Sequence, residues 1–456
     1  MYDAIIIGAG LSGLAAGIRL SFFGKKVLII EQHHTGGGLN SYYRRGARTI
    51  DAGLHAMTNF APEGARGAPL TKLLRQLRLR HADLELVEQG HSEIAFPGKT
   101  LRFTNNFADF ADSVAAQFPE DAPGFNALAA AVAAYDDTAL DAAPRSARAE
   151  LRRFLGQSPL AEMLLCPLMY YGCASEHDMD WTQFVTMWKA VFSGGFCRPG
   201  GGMCPFIERL EKIFTDNGGE IRWKTPVKGI IVKDGAATGV RLDNGEEIPA
   251  AQVFSSAGRG ETAALCGDAP ESAARPGRLG FAELVLYFKE PPAGSDAAIT
   301  FFSRQKEFAF SEAAGLVDDA SGVICCPNNF RYPEPLPEGC LRVTARANYG
   351  LWAGLSPADY AAAKAEAVSR LTAAAEKFYP GIRDRAVFTD LFTPCTVKRF
   401  TGHARGAIYG TPDKRRDGKT PYAGLFLTGT DQGFLGIVGA LLSGITIANA
   451  YGLRET

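Results

Sequence analysis

Residues 5–17, IIIGAGLSGLAAG, join an apolar run to a small-residue segment through glycines spaced G-x-G-x-x-G at Gly8, Gly10 and Gly13. The run DAIII (3–7) reads as a buried strand, the stretch after Gly13 as a helix that Gly24 closes, and KVLII (26–30) as a second strand. This order is a βαβ unit. A helix that begins on such a turn points free N–H groups outward at its positive end, where an anionic diphosphate binds. Gly10 admits the close approach and Gly13 lets helix and strand pack. Glu31 ends the second strand, placed to accept hydrogen bonds from a ribose, whereas a basic residue there would suit a 2′-phosphate. Strand, loop, helix, strand and acid in this order predict a dinucleotide site.

The chain has 456 residues, enough for two to three domains, with 46% hydrophobic and 21% charged residues, as in soluble globular proteins. With 48 basic against 49 acidic residues the net charge is −1, so nothing points to a nucleic-acid partner. No apolar run approaches the ~20 residues of a membrane span. The first apolar run leads into the glycine loop rather than a cleavage site. The nine cysteines are scattered and never spaced C-x-x-C, which disfavours a disulfide framework and a zinc site. None of the seven histidines has a partner at ligand spacing, and no metal is expected. These features suggest a reducing, cytoplasmic setting. One segment adds a second expectation, peripheral contact at the inner face of a membrane. In residues 66–86 Leu70, Leu73, Leu74 and Leu77 share a helical face beside Lys72, Arg75, Arg78 and Arg80. Its alternative is an ordinary solvated domain helix.

Three blocks share one character. The first is the N-terminal unit. The second, from residue 199, reads as a glycine loop, an amphipathic helix and a strand-rich meander with turns at Asp234-Gly235 and Asn244-Gly245. The last, LFLTGTDQGFLGIVGALLSG (425–444), reads as a strand, a glycine turn and a closing helix. Between them, residues 107–150 are Ala-rich and helical in tendency, 277–350 are β-rich, and a helix starts at Ser356-Pro357 and stops near Pro380. The expected organisation is a discontinuous nucleotide domain (1–75, 199–265 and 395–456) and an inserted substrate domain with a helical part (76–198 and 266–394).

NAD and FAD sites both begin in this way. The extra glycines after Glu31, followed by Asp51-x-Gly53, suit a longer ligand than NAD. The stretch EQHHTGGGLNSYYRRGARTIDAGLHAMTN resembles the N-terminus of the phytoene desaturase, carotenoid isomerase and retinol saturase superfamily of FAD-dependent oxidoreductases. EQH (31–33) and DAGLH (51–55) lean toward the retinol saturase branch. The segments 393–410 and 425–441 resemble the C-terminal part of the same branch. The resemblance implies an α/β fold: a Rossmann-type FAD-binding domain of the glutathione reductase/amine oxidase kind, with an inserted mixed α+β substrate domain. It further implies that Gly8, Gly10 and Gly13 hold the diphosphate and Glu31 the ribose, with Gly36, Gly37 and Ser41 in the following loop. By the same resemblance Val227 contacts adenine, Gly429 and Asp431 lie near the diphosphate and ribityl chain, and Ile437 and Val438 point backbone N–H groups at the flavin. Many relatives carry Arg where this chain has Gly38, which removes a charge-assisted phosphate contact.

The implied substrates are lipophilic isoprenoids or polyenes, altered by desaturation, saturation or isomerisation, with an electron donor or acceptor that the sequence does not identify. Such a substrate needs an apolar tunnel, for which Tyr170, Tyr171, Trp181, Phe184 and Trp188 are candidates; an aromatic helical core is the alternative. His55, His403 and Glu176 are candidate proton carriers, with His177 and Arg405 beside them. Two other readings stand: a flavin amine oxidase, and a lipid carrier resembling Rab GDP-dissociation inhibitors, without chemistry.

Overall fold

The computed structural model describes residues 1–137, 143–270 and 274–453. Parallel strands stand in the spatial order Glu220–Arg222, Val27–Ile30, Tyr2–Ile7, Glu247–Ser255 and Leu425–Leu427. Alternation along Tyr2–Ile7 explains its central place. Ala4 and Ile6 pack under the helices Leu11–Ser21, Met203–Asp216 and Gly436–Ile447, while Ile5 and Ile7 pack against the other face. That other face is covered by an antiparallel meander of Val227–Lys233, Ala236–Leu242 and the start of Glu247–Ser255. The meander turns where expected: Asp234 and Gly235 take φ of 48° and 76°, the left-handed pair that a tight hairpin requires.

A second sheet runs Ala386–Phe392, Gly280–Phe288, Gly339–Ala347, Val317–Cys325, Ile299–Ser303, Ser92–Phe96, Lys99–Phe103. Every pairing is antiparallel except that of Ile299–Ser303 with Ser92–Phe96. It is buried on both faces. Leu284, Leu286 and Val343 pack under the helix Pro357–Ala375, and Phe281, Val323 and Leu101 pack against helices drawn from residues 107–193. The helix Pro357–Ala375 begins as expected, the Ser356 hydroxyl accepting from the Asp359 N–H at 3.2 Å, and ends short of Pro380. Of the Ala-rich region, Phe107–Gln117, Ala122–Ala134 and Ala147–Leu155 are helical, and residues 138–142 lie outside the described residues.

The basic amphipathic segment folds as the short helix Pro69–Gln76, but its leucines are taken. Leu70, Leu73, Leu74 and Leu77 are buried against the closing-helix core with Ile437 and Leu441, so this helix offers a membrane no apolar face. Among the described residues no helix is long and apolar enough to cross a membrane.

Candidate active site

Two helices begin at one cavity without a side-chain cap. The helix Leu11–Ser21 starts from Gly10 and the helix Gly436–Ile447 from Leu435; in neither does a side chain at the capping position accept a first-turn N–H. Both capping residues, with Leu11, Ser12, Ile437 and Val438, line the cavity, so the positive ends of two dipoles meet there. An anionic ligand satisfies such ends. Around the first of them Gly8 holds φ 97°, and a side chain on it would meet the Ser256 hydroxyl at 2.4 Å. Gly13 does not face the cavity: a Cβ there would lie 2.0 Å from the Gly8 carbonyl oxygen, so this glycine serves packing.

Glu31 closes the cradle. Its carboxylate accepts from the Ala9 N–H at 2.8 Å and the His33 N–H at 2.9 Å while still lining the cavity, which fixes the position of its remaining lone pairs. Gly37 and Ser41 line it too, the Ser41 hydroxyl donating to the Gly36 carbonyl at 2.6 Å. Gly36 itself is turned away, packed against Ala9 and Glu211. Burial, with Glu208 nearby, pushes the Glu211 carboxyl up to about 7. Gly38 has φ 59°, a backbone region that an arginine enters only with strain. Val227 and Gly429 line the cavity, but Asp431 does not. Its buried carboxylate accepts from the Arg259 N–H at 2.7 Å and the Thr411 N–H at 2.9 Å and lies 3.5 Å from Lys414, so it ties loops together. A dinucleotide fits this donor set.

The cavity measures about 1540 Å³ and runs on, past the cradle, to Tyr170, Tyr171, Phe281, Val323 and Ile408. A pocket for one small ligand occupies roughly 300–1,000 Å³. There is room for a cofactor and a second, apolar molecule. Tyr170 and Tyr171 line this far end, and among the described residues the buried Tyr171 hydroxyl has no hydrogen-bond partner. Trp181, Phe184 and Trp188 do not line it. Trp181 stacks on Phe184 at 5.2 Å and Trp188 meets Phe192 edge-on at 5.2 Å, all deep in the helical core, because their helix face turns inward to the aromatic cluster. This part of the aromatic run is packing.

Glu176 also falls outside the cavity, accepting from the Glu312 N–H at 2.9 Å and pairing with Arg278 at 3.4 Å. His177 and Arg405 are likewise elsewhere, the latter paired with Glu312. His403 does line the cavity, with Nδ1 3.2 Å from the Ala407 carbonyl oxygen, a bond within its own loop. His55 lines it in a different setting. Its Nε2 lies 3.1 Å from the Thr344 hydroxyl and 3.5 Å from one Glu283 carboxylate oxygen, while the other oxygen is paired with the buried Arg342.

Sequence reasoning missed Glu283, Arg342, Thr344 and Arg198. A signal was present: Glu283 interrupts FAELVLYF and Arg342 interrupts CLRVT, and a charge inside a doubly buried strand demands a partner. Burial works against the Glu283 charge, but Arg342 and His55 outweigh it and hold the carboxyl below its ordinary range. Elsewhere, His91 Nε2 lies 3.4 Å from both Glu93 and Asp296, an array of metal-ligating types. Arg102 stands 3.0 Å from His91 Nδ1. A guanidinium only donates, so Nδ1 accepts and Nε2 carries the hydrogen that faces the two carboxylates.

The flavin-containing amine oxidoreductase family matches residues 11–450. A chloroplastic prolycopene isomerase of Daucus carota is 25% identical over 98% of this chain and 79% of its own. An all-trans-retinol 13,14-reductase of Danio rerio is 24% identical over 97% of this chain and 85% of its own. In solved structures the same fold recurs in an oxidoreductase from Methanosarcina mazei, at TM-score 0.69 and 17% identity, covering 98% of this chain and 99% of that one. With the cradle built for a dinucleotide and the match running nearly end to end, the chain belongs to the flavin-containing amine oxidoreductase family and is an FAD-dependent oxidoreductase.

Proposed function

We propose that this enzyme changes carbon–carbon single or double bonds in a lipophilic isoprenoid or polyene substrate. The observation that carries the reading is one continuous cavity, a dinucleotide cradle at one end and a wall of Tyr170, Tyr171, Phe281, Val323 and Ile408 at the other. The relatives support the same bond class, since their names include a prolycopene isomerase, a phytoene desaturase and a retinol 13,14-reductase.

In this reading residues 1–75, 199–265 and 395–456 hold the cofactor, and 76–198 with 266–394 supply the substrate walls except at Ile408, which the last cofactor segment contributes. Gly8, Gly10, Gly37 and the N–H groups opening the helix Leu11–Ser21 receive the diphosphate, Glu31 the ribose, and the N–H groups of Ile437 and Val438 the flavin ring. FAD supplies two-electron exchange with a carbon centre. The protein orients the substrate carbon, keeps water out with its aromatic wall, and carries the proton. The test is anaerobic incubation of the FAD-loaded enzyme, oxidised and reduced in separate arms, with conjugated polyenes dispersed in detergent and with primary amines. A changed double-bond pattern in the polyene by chromatography supports the reading. Oxidation of amines alone, with every polyene unchanged, overturns it.

A further inference from the structure

We infer that Glu283 is a positioning residue that fixes the tautomer of His55, so that His55 Nδ1 is the atom that carries the substrate proton. This deepens the function proposed above and rests on it.

Glu283 stands in the middle of Gly280–Phe288, directly across from Thr344 in the neighbouring strand. One carboxylate oxygen takes the Arg342 Nε–H at 2.5 Å, and the other lies 3.5 Å from His55 Nε2. The Thr344 hydroxyl is 3.1 Å from the same nitrogen. With a carboxylate held in its charged form beside it, Nε2 carries a hydrogen. The other nitrogen is thereby released: in the neutral ring Nδ1 is a lone-pair base, and in the cation it is an N–H acid. Among the described residues Nδ1 has no hydrogen-bond partner, and it is not one of the buried atoms that lack one, so it keeps open surface on a ring that lines the cavity.

The ring is also held from behind. Arg198 donates to the carbonyls of Leu54 at 2.9 Å and His55 at 2.6 Å, and Arg342 to those of Asp51 at 2.7 Å and Ala52 at 2.8 Å. Asp51 pairs with Arg198 at 3.3 Å and accepts from the Met203 N–H, which closes the clamp. The other groups facing His55 are Tyr171, whose ring centroid lies 6.0 Å away, and the Cys325 thiol, 3.6 Å from the His55 carbonyl oxygen. Replacing a buried ion pair by apolar residues is often neutral or stabilising, so packing alone does not call for Glu283 and Arg342 here. By contrast His403, the other cavity histidine, spends its Nδ1 on the Ala407 carbonyl.

Making or removing a carbon–carbon double bond transfers a hydride at one carbon and a proton at its neighbour; FAD, when bound, would give or take the hydride, and the proton is the part His55 carries. In saturation the Nδ1–H bond breaks, the proton joins the substrate carbon and the electron pair stays on nitrogen. In desaturation the C–H bond breaks and the Nδ1 lone pair takes the proton. Isomerisation places the same proton and removes it.

The experiment compares the wild type with His55→Gln, Glu283→Gln and Thr344→Val, the last removing an acceptor without stranding a buried charge. Nitrogen-15 NMR of histidine-labelled protein reads the tautomer independently of turnover. The wild type shows His55 protonated at Nε2, and both Glu283→Gln and Thr344→Val weaken that preference. His55→Gln slows polyene conversion about 10²–10⁴-fold with its pH dependence flattened and KM little changed, and Glu283→Gln slows it less. A wild-type ring protonated at Nδ1, or a His55→Gln enzyme that keeps its rate and pH profile, overturns the inference. A wild type that binds FAD but changes no polyene overturns the functional reading and the proton role with it. Active wild type with unaffected variants overturns this inference alone.

Discussion

Glu211 stands behind the turn at Gly36 and Gly37, and its proton is tied to the fold there. Its carboxyl is pushed from 4.5 up to about 7, first by burial and then by Glu208. Between about pH 4.5 and 7 the folded chain keeps a proton that the unfolded chain has released, so this group's contribution to stability falls as pH rises through that window. Glu211→Gln removes the loss, and because the group is partly solvated the gain at pH 8 is on the order of 1 kcal/mol. Thermal unfolding of both proteins at pH 5 and pH 8 checks this: the curves approach each other at pH 5, and the variant melts higher at pH 8. At this scale the cradle was legible in the sequence, because Gly8, Gly10, Gly13 and Glu31 act through local spacing. His55 could be singled out from DAGLH, but what holds it could not. Glu283, Thr344 and Arg342 reach it only through a strand pairing that no local pattern encodes. Asp431 and Glu176 misled for a related reason, since a polar residue in a glycine-rich or loop context ties backbone together as readily as it faces a ligand.

At the scale of elements, the helices Leu11–Ser21 and Gly436–Ile447 must touch closely for both N-termini to reach one cavity. A Cβ on Gly444 would fall 2.0 Å from the Ser12 carbonyl oxygen. Alanine in place of a mid-helix glycine ordinarily stabilises by up to ~1 kcal/mol. Here Gly444→Ala is expected to destabilise by about 1–3 kcal/mol and to weaken FAD retention, read by denaturant unfolding and by flavin lost on gel filtration. The aromatic helix gives the complementary case. Trp188 sits among Phe110, Phe125 and Phe192, away from the cavity. Trp188→Ala costs about 3–5 kcal/mol and leaves KM for the polyene unchanged at temperatures where the variant stays folded. A KM raised tenfold would restore Trp188 to the tunnel. Periodicity revealed that the faces of 69–76 and 181–188 are apolar, but not what covers them, since a membrane, a ligand and a protein core ask for the same side chains.

Over the whole molecule, one layer brings strands from three distant stretches of sequence into a single sheet, and the second sheet stands between a helix on one face and a helical bundle on the other. Their common product is the cavity of about 1540 Å³, whose two ends differ in chemistry. The nucleotide end was readable from motif and order. Of the apolar end, Tyr170 and Tyr171 could be singled out as candidates, but Phe281, Val323 and Ile408 could not, because they come to the same wall from separate elements. That this cavity seats FAD beside an apolar substrate is put to the sharpest trial by the visible spectrum of the purified protein, taken before and after a detergent-dispersed polyene is added, with chromatography of the chromophore released by heat. The prediction is an oxidised flavin spectrum, one FAD per chain in the extract, and a shift of the flavin bands on adding the polyene. A colourless protein that stays colourless after incubation with FAD, or a flavin spectrum that no polyene disturbs, would contradict it.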